Sequence, residues 1–559
     1  MKETATLEKD FFKIALWTLA GSCLVYMVGW FINVMDIDAS QYASISKEML
    51  ERGDYLTFTD AGREYLDKPP LLFWVSGISM KLFGVNNVAY RVPALLATLL
   101  ALYSTFRLAV LYYDKSTGYL SVIILATLQA IFLINHDVRT DTNLLCWFIF
   151  SMWHLAEYLE HKKAISFILA FVGVGLAMLA KGPIGLIAPG MGVFMHLVLR
   201  KNWKDLFHPV WLLGLVIVAL VLLPMSYGLY TQFDLHPEKL VNGQTGVSGL
   251  RFFYWTQSFG RITGESVWEN DVGPFFLSHS TLWAFAPWSL FLVLGLIMEG
   301  RLFYRHLTGK EKQKEFLILF GFLLPFLALS ASRYQLPHYA FIVYPLGAIM
   351  AAKYIIKIFY SSTAPKKRVL YLIHTVLLFL ALAFVFALAW FSFQNSDPIV
   401  ALVYILGLLI YLYAAFIWKN NYTLVIASVL MILFANLAMN SIFYPRLLKY
   451  QAGSEIARVA IEAGAGKGSL YSYRTPVSGA MDFYANMTVP IEEDLDKLAD
   501  RRNIWVFTKE EFLEDILKKR PDATIVYATG GYSVTQLTAE FLNPATRETT
   551  LHKSYLIKF

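Results

Sequence analysis

"MDIDASQYASISKEML" (Met35–Leu50) stands directly after an apolar run that begins at Phe11, and it carries two acids ahead of a short amphipathic stretch. A run reaching from Phe11 to Met35 is long enough to cross a bilayer, which takes roughly 17 to 25 residues. It has no small-residue cleavage site before the polar segment, so it reads as a retained membrane helix and not as a cleaved signal. The chain therefore passes from lipid straight to Asp36 and Asp38, which puts carboxylates at the membrane surface. That reading decides the fold: a polytopic, mainly α protein with its polar chemistry gathered at one face.

The rest of the composition agrees. Of 559 residues, 57% are hydrophobic and only 16% charged, far from the balance of a water-soluble globular chain. The formal net charge of +7 comes from Lys and Arg in short loops between apolar runs, a positive-inside pattern and not a nucleic-acid-binding one. Cys23 and Cys146 both lie inside apolar runs, which removes disulfide and thiolate-metal chemistry from consideration.

Thirteen runs are expected as spans: 11–35, 91–112, 118–136, 142–160, 164–181, 184–200, 208–230, 280–300, 315–332, 339–357, 369–393, 398–418 and 422–444. The segment Pro70–Gly84 is apolar but short, follows a Pro-Pro pair and contains Lys81, so it reads as interfacial or re-entrant. With the amino terminus inside, "EHKK", "RKNWKD", "RLFYRHLTGKEKQKE" and "APKKR" all fall on the cytoplasmic side. The segments 36–90 and 231–279, Asn135–Asp141 and the turn "SRYQLPH" then share the opposite, extracytoplasmic face. Residues 1–445 form a transmembrane domain on this reading. Residues 446–559, where "SLYSY", "IWVF" and "TIVYA" alternate with helical stretches such as Lys509–Lys519, form a small extracytoplasmic α/β domain.

Three acids stand out on that face. Asp38, with Gln41 three residues on, has the look of a capping box; Asp67 precedes Lys68 and Pro69-Pro70; Asp141 opens another span in "RTDTNLL". Taken singly, each reads as a helix-start acid. Together they share their membrane face with Lys68, Arg139, Lys181, Arg261 and the "SRYQLPHY" turn, and capping does not call for cations beside the acids. Arg and Lys at the lipid-water boundary suit a phosphorylated lipid headgroup, although each alone could also snorkel to the interface. A carboxylate beside them suits an attacking hydroxyl, so the implied reaction is group transfer from a lipid phosphate. No H-x-x-x-H or H-E-x-x-H spacing, Walker loop or G-x-G-x-x-G occurs, which disfavours an evident zinc site or a nucleotide-driven reaction.

"DASQYASISKEML", "YLDKPPLLFWVSGISMKLFG" followed by "YRVPALLA", "RTDTNLL", "LAKGPIGLIAPG", "QSFGRI" and "SRYQLPHYAFIVYPLGAIMAA" occur in this order. In combination they resemble the membrane glycosyltransferases of the GT-C type, nearest to the lipid A aminoarabinose transferases and the protein O-mannosyltransferases. The resemblance implies a thirteen-span protein with a periplasmic domain that transfers a sugar from a polyprenyl phosphate with inversion. It makes Asp38 the acid at the reaction centre and Asp141 the second acid of the pocket. Lys68 becomes the ligand of the donor phosphate, Arg261 a neighbour of that phosphate, and Tyr339 the tyrosine that closes the site. Asp67 falls where the family often has Glu, and Tyr42, Arg139, Lys181 and Gln257 are expected as supporting residues. Three departures stand out: Ala39 follows Asp38 where an acid is common, Gln41 replaces an arginine, and Gln257-Ser258 replaces a Glu-His pair. The last removes an imidazole metal ligand, so transfer without a resident metal is expected, and the sugar is left open.

The expected partners are a polyprenyl-phosphate-linked sugar, membrane lipids, and an acceptor that is either a lipid A, lipopolysaccharide or other glycolipid, or a protein hydroxyl; nucleic acid is not among them. The expected location is a bacterial inner membrane with the site on the periplasmic side. Two other classes compete. A transporter or lipid flippase would carry its ionisable groups near the midplane, whereas here they lie at span ends. A silent binding protein that kept the fold is the other.

Overall fold

The computed structural model describes residues 2–257, 260, 270, 272–360, 366–393, 398–417 and 421–559. The chain opens with helix α1 (Lys2–Gly29), followed by α2 (Asp38–Arg52), α3 (Leu71–Phe83), α4 (Asn87–Tyr112), α5 (Lys115–Ala126), α6 (Gln129–His136), α7 (Thr140–His161), α8 (Ala164–Lys181) and α9 (Ile184–Leu199). All thirteen expected spans coincide with helical structure. Among the described residues, seven helices are long and apolar enough to cross a membrane unaided, or eight if one bent pair counts as a single span. Several others, including α9 and Leu317–Ser330, are shorter apolar helices. Helix α3 has 13 residues, about 20 Å, and is likewise one of the shorter apolar helices.

Two expected spans are not continuous. The run 118–136 bends by 54° between α5 and α6. The run 280–300 is divided between the helices Phe276–Ala284 and Ser289–Leu307, around Ala286-Pro287. The two breaks satisfy each other: the Gln129 N–H donates to the Ala286 carbonyl at 2.9 Å, and the buried Trp288 indole N–H donates to Thr127 Oγ1 at 2.8 Å. Backbone groups freed inside an apolar bundle need protein partners, and apolarity alone does not reveal such a pairing in the sequence.

Successive helices alternate in direction, so the start of α7, the end of α8 and the start of α9 lie at one end of the bundle. The other end of α7, about 33 Å away, carries "EHKK". There Lys162 pairs with Asp205 at 2.7 Å and Arg200 with Glu160 at 2.5 Å. The loops carrying "EHKK" and "RKNWKD" thus lie at the end of α7 opposite Asp141.

At the acid-bearing end, α2 and α3 pack together through Tyr42 and Phe73, with Phe58 and Tyr65 of the intervening segment against Phe73. The segment between α1 and α2 has no regular structure, and α4 anchors it from below. Buried Arg91 donates to the carbonyls of Trp30, Ile32, Asn33 and His136, while the Tyr90 hydroxyl donates to the Ala39 carbonyl at 2.7 Å. Both residues belong to "YRVPALLA".

Above this end sits the small α/β domain. Its five strands, β3 (Leu470–Tyr473), β4 (Ile491–Glu492), β5 (Trp505–Lys509), β6 (Thr524–Gly531) and β7 (His552–Lys558), follow the hairpin strands β1 (Thr59–Asp60) and β2 (Arg63–Glu64) in chain order. They form a mixed sheet in the order β4-β3-β5-β7-β6, with β3 parallel to β4 and β5, and β7 antiparallel to both its neighbours. The three expected strands are present. The short β4 and the C-terminal β7, which the sequence reading lacked, complete the sheet.

The domain's helix Gly479–Ala485 rests on α2, and Lys47 of α2 donates to the Asp482 carbonyl at 2.7 Å. Burial pushes the Asp482 carboxyl up to about 7, against the Val489 N–H it accepts and the Lys47 charge, with Asp60 and Glu48 adding to the rise. An acid whose folded pKa exceeds its unfolded value of about 3.9 holds its proton longer in the fold, so its contribution to stability falls as pH rises through that window. The melting temperature in detergent is therefore expected to decline between about pH 4.5 and pH 7.5. The Asp482→Asn variant, which keeps an acceptor for Val489, is expected to flatten that decline, as scanning fluorimetry at the two pH values would record.

Candidate active site

The segment leading into α3, the first turns of α2 and α7, and the turn joining α8 to α9 converge with the Ser332–Tyr339 turn on one cavity of about 350 Å³. Its lining includes Asp38, Tyr42, Asp67, Lys68, Arg139, Asp141, Lys181, Gln257 and Tyr339, which is every residue expected at the site except Arg261. Arg261 lies outside the described residues. The lining also includes the apolar side chains of Ile184, Ile187, Met191, Leu329 and Ile342. A cavity that offers both charged and apolar groups suits an amphiphile.

None of the three acids acts as the side-chain cap that its position suggests. Helix α2 begins at Asp38 with Ile37 before it, α3 follows Pro70, and α7 follows Arg139; none of these starts has a side-chain cap bond. The Asp38 carboxylate instead receives Arg139 Nη1 on Oδ2 at 2.7 Å. Arg139 in turn gives its Nε–H to Asp137 Oδ2 at 2.8 Å, so one guanidinium bridges two carboxylates. Asp141, with a side chain only 4% exposed, receives Lys181 Nζ on Oδ1 at 2.5 Å, and His338 Nε2 stands 3.7 Å from its Oδ2. Lys68 Nζ lies 2.6 Å from Asp67 Oδ2.

Local structure explains these placements. Gly182 adopts φ +81°, and a Cβ on Gly185 would stand 2.5 Å from backbone atoms of Ala177 and Met178. Glycine at both positions lets "LAKGPIG" fold back tightly on itself, which leaves Lys181 at the cavity with its Nζ 4.1 Å from the centre of the Tyr339 ring. Burial, with Tyr65, Asp38 and Asp67 nearby, pushes the Tyr42 phenol well up, so its hydroxyl stays protonated. Gln41, in the place of an arginine, donates its amide to Asp60 Oδ2 at 2.8 Å.

Asp137 and His338 were not singled out from the sequence. Asp137 sits two residues before Arg139 in "HDVRTD", a spacing that carries no signal by itself; only the fold shows that Asp137 and Asp38 both grip the Arg139 guanidinium. Because a lysine ammonium lacks the planar fork, it cannot reproduce the two-carboxylate bridge of Arg139. Arg139→Lys is expected to lower turnover about tenfold with the KM for donor little changed, in a steady-state transfer assay.

The residues do not fit a metal centre of the Glu-His kind. Gln257 turns its amide N–H to the Asp67 backbone carbonyl, the Asp67 carboxylate holds Lys68, and among the described residues no three His, Cys, Asp or Glu side chains gather.

Residues 67–227 match the family described as dolichyl-phosphate-mannose-protein mannosyltransferase. The structure superposes on the crystal structure of ArnT from Cupriavidus metallidurans bound to undecaprenyl phosphate with a TM-score of 0.71, at 15% identity and over 97% of both chains. The chain shares the fold of that structure. It is also 26% identical over 323 residues to the undecaprenyl phosphate-alpha-4-amino-4-deoxy-L-arabinose arabinosyl transferase of Yersinia enterocolitica, covering 56% of this chain and 54% of that one. An uncharacterized protein of Aquifex aeolicus is 30% identical over 321 residues, 56% of this chain and 58% of the relative. The alignments with these curated relatives thus span a little over half of their length.

Proposed function

We propose that this protein transfers a sugar from a polyprenyl-phosphate donor to a lipid A, lipopolysaccharide or other glycolipid acceptor, with inversion, on the periplasmic face of a bacterial inner membrane. The observation that carries the reading is the cavity itself: Lys68, Arg139 and Lys181 stand with Asp38, Asp67 and Asp141 in a lining that also holds apolar side chains. The charges of these six side chains balance before a ligand arrives. A phosphodiester donor brings one negative charge, and breaking its bond to the sugar leaves a phosphate monoester that can carry two. The cations meet the charge that develops in the transition state.

In this reading the acceptor hydroxyl attacks the anomeric carbon from the side opposite the phosphate. Its proton passes to Asp38, the carbon–oxygen bond to phosphate breaks with its electron pair, and the configuration inverts. Arg139 holds Asp38 Oδ2, which leaves Oδ1 to receive the proton. Lys68 receives the departing phosphate, releasing Asp67, and Lys181 with Asp141 and Tyr339 orients the sugar side of the cavity. If the acceptor is a phosphate, already an anion, Asp38 orients it in place of deprotonating it.

A second reading, transfer to protein hydroxyls, is favoured by the family matched over residues 67–227. Radiolabelled sugar offered on a panel of synthetic polyprenyl phosphates to native membrane extracts separates the two. Label in the glycolipid fraction supports the first reading, label in protein supports the second, and no label with any donor would count against both.

A further inference from the structure

The Asp38 side chain bonds to Arg139, yet the backbone leading into it is held by residues hundreds of positions away. The stretch from Asn33 to Ile37 is irregular, so its peptide groups need partners from elsewhere. Gln451, only 3% exposed, provides two of them: its Oε1 accepts the Asp36 N–H at 2.8 Å and its Nε2 donates to the Val34 carbonyl at 3.0 Å. The Tyr484 hydroxyl accepts the Val34 N–H at 2.7 Å and donates to Asn87 Oδ1 at 2.8 Å, which ties the same stretch to the start of α4. The Asp36 carboxylate accepts the Ala480 N–H at 3.3 Å and the Ser40 hydroxyl at 2.5 Å with one and the same oxygen.

The approach is close enough to need glycine. A Cβ on Gly479 would stand 2.7 Å from the Gln41 nitrogen and the Ser40 carbonyl carbon, so the domain's helix meets the backbone of the first turn of α2 directly. That turn is the one that begins with Asp38. With Arg91 gripping the carbonyls of Trp30, Ile32 and Asn33 from below, the strap is fixed from both sides.

We propose that the C-terminal α/β domain is a positioning element of the transfer site, acting through Gln451, Tyr484 and the Ala480 N–H to set the height and angle at which Asp38 enters the cavity. This rests on the transfer reading above for its kinetic consequence, but the physical claim, that the domain orders residues 33–41, stands apart from it. Asp36 acts here only as a hydrogen-bond acceptor. Burial raises its carboxyl despite the Ser40, Ser478 and Ala480 bonds, which agrees with a role in which charge is not required.

The test uses the full-length protein in detergent. Gln451→Leu keeps similar bulk and removes both amide bonds. It is expected to lower turnover about 10- to 100-fold while the KM for donor stays within about twofold, the signature of a misplaced catalytic group. Deuterium uptake of the peptide covering residues 33–41 should rise in the same variant, with uptake across the five-stranded sheet unchanged. Asp36→Asn, which keeps an acceptor, should stay within about threefold of wild-type turnover, whereas Asp36→Ala should fall with Gln451→Leu. Wild-type turnover and uptake in Gln451→Leu would overturn the inference, as would a loss confined to KM. Asp36→Asn as inactive as Asp36→Ala would overturn it too, since the carboxylate would then act chemically. Should no polyprenyl-phosphate sugar support turnover by the wild type, the transfer reading fails, and uptake alone decides: raised exchange at 33–41 upholds the positioning, unchanged exchange rejects it.

Discussion

Asp38→Asn is expected to reduce sugar transfer to a hydroxyl acceptor about 10³-fold, with the KM for the polyprenyl-phosphate donor little altered. The amide fills the same volume and can still accept a hydrogen bond from Arg139 Nη1, so the fold of the cavity should survive. What it cannot do is take the proton of the attacking hydroxyl, and general base catalysis typically supplies a factor of about 10² to 10⁴. A phosphate acceptor changes the expectation: it is already an anion, so Asp38→Asn would then lose far less, and the size of the defect reports the acceptor class.

Lys68→Ala is expected to cost about 10² to 10³-fold in turnover, the usual range for removing one preorganised donor to developing charge. The loss should fall partly on donor binding as well, since the ground-state phosphodiester is also anionic. Binding of undecaprenyl phosphate itself, the charged leaving group, should weaken more than binding of the intact donor, because the monoester carries the extra charge that Lys68 meets. Calorimetry with both ligands would separate these effects; equal weakening would mean that Lys68 grips the donor without favouring the transition state. Lys68 pairs with Asp67 at 2.6 Å in the ligand-free arrangement. Asp67→Asn should therefore tighten phosphate binding by removing the competitor, a change opposite in sign to that of Lys68→Ala.

Much of the site can be read from residue types and span parity. Asp38, Lys68, Asp141 and Lys181 are charged residues at the ends of apolar runs, and parity puts those ends on one side. The cavity that gathers them is lined by nine of the ten residues expected there. What local sequence suggested wrongly was their immediate role. Acids at helix starts usually cap, and here each is drawn instead to a cation: Arg139 for Asp38 and Lys181 for Asp141, both brought in by the fold, and the neighbouring Lys68 for Asp67. A charge-assisted pair in a cavity of low polarity outweighs a backbone cap that water or an adjoining turn can replace.

The sequence by itself determined the membrane class, the positions of the helices and the presence of a small α/β domain, because apolar run length and strand or helix periodicity are local properties. Only the tertiary structure decided that the runs 118–136 and 280–300 are broken, since each break is tolerable only when the Gln129 N–H finds the Ala286 carbonyl. It also decided that Asp137 and Asp38 share Arg139, and that Gln451 holds the backbone of Val34 and Asp36 across more than four hundred residues. These are pairings between residues far apart in the chain, where neither member looks unusual alone. Their energy comes from satisfying a polar group that burial has cut off from water, and which group will be buried beside which is a property of the packed bundle.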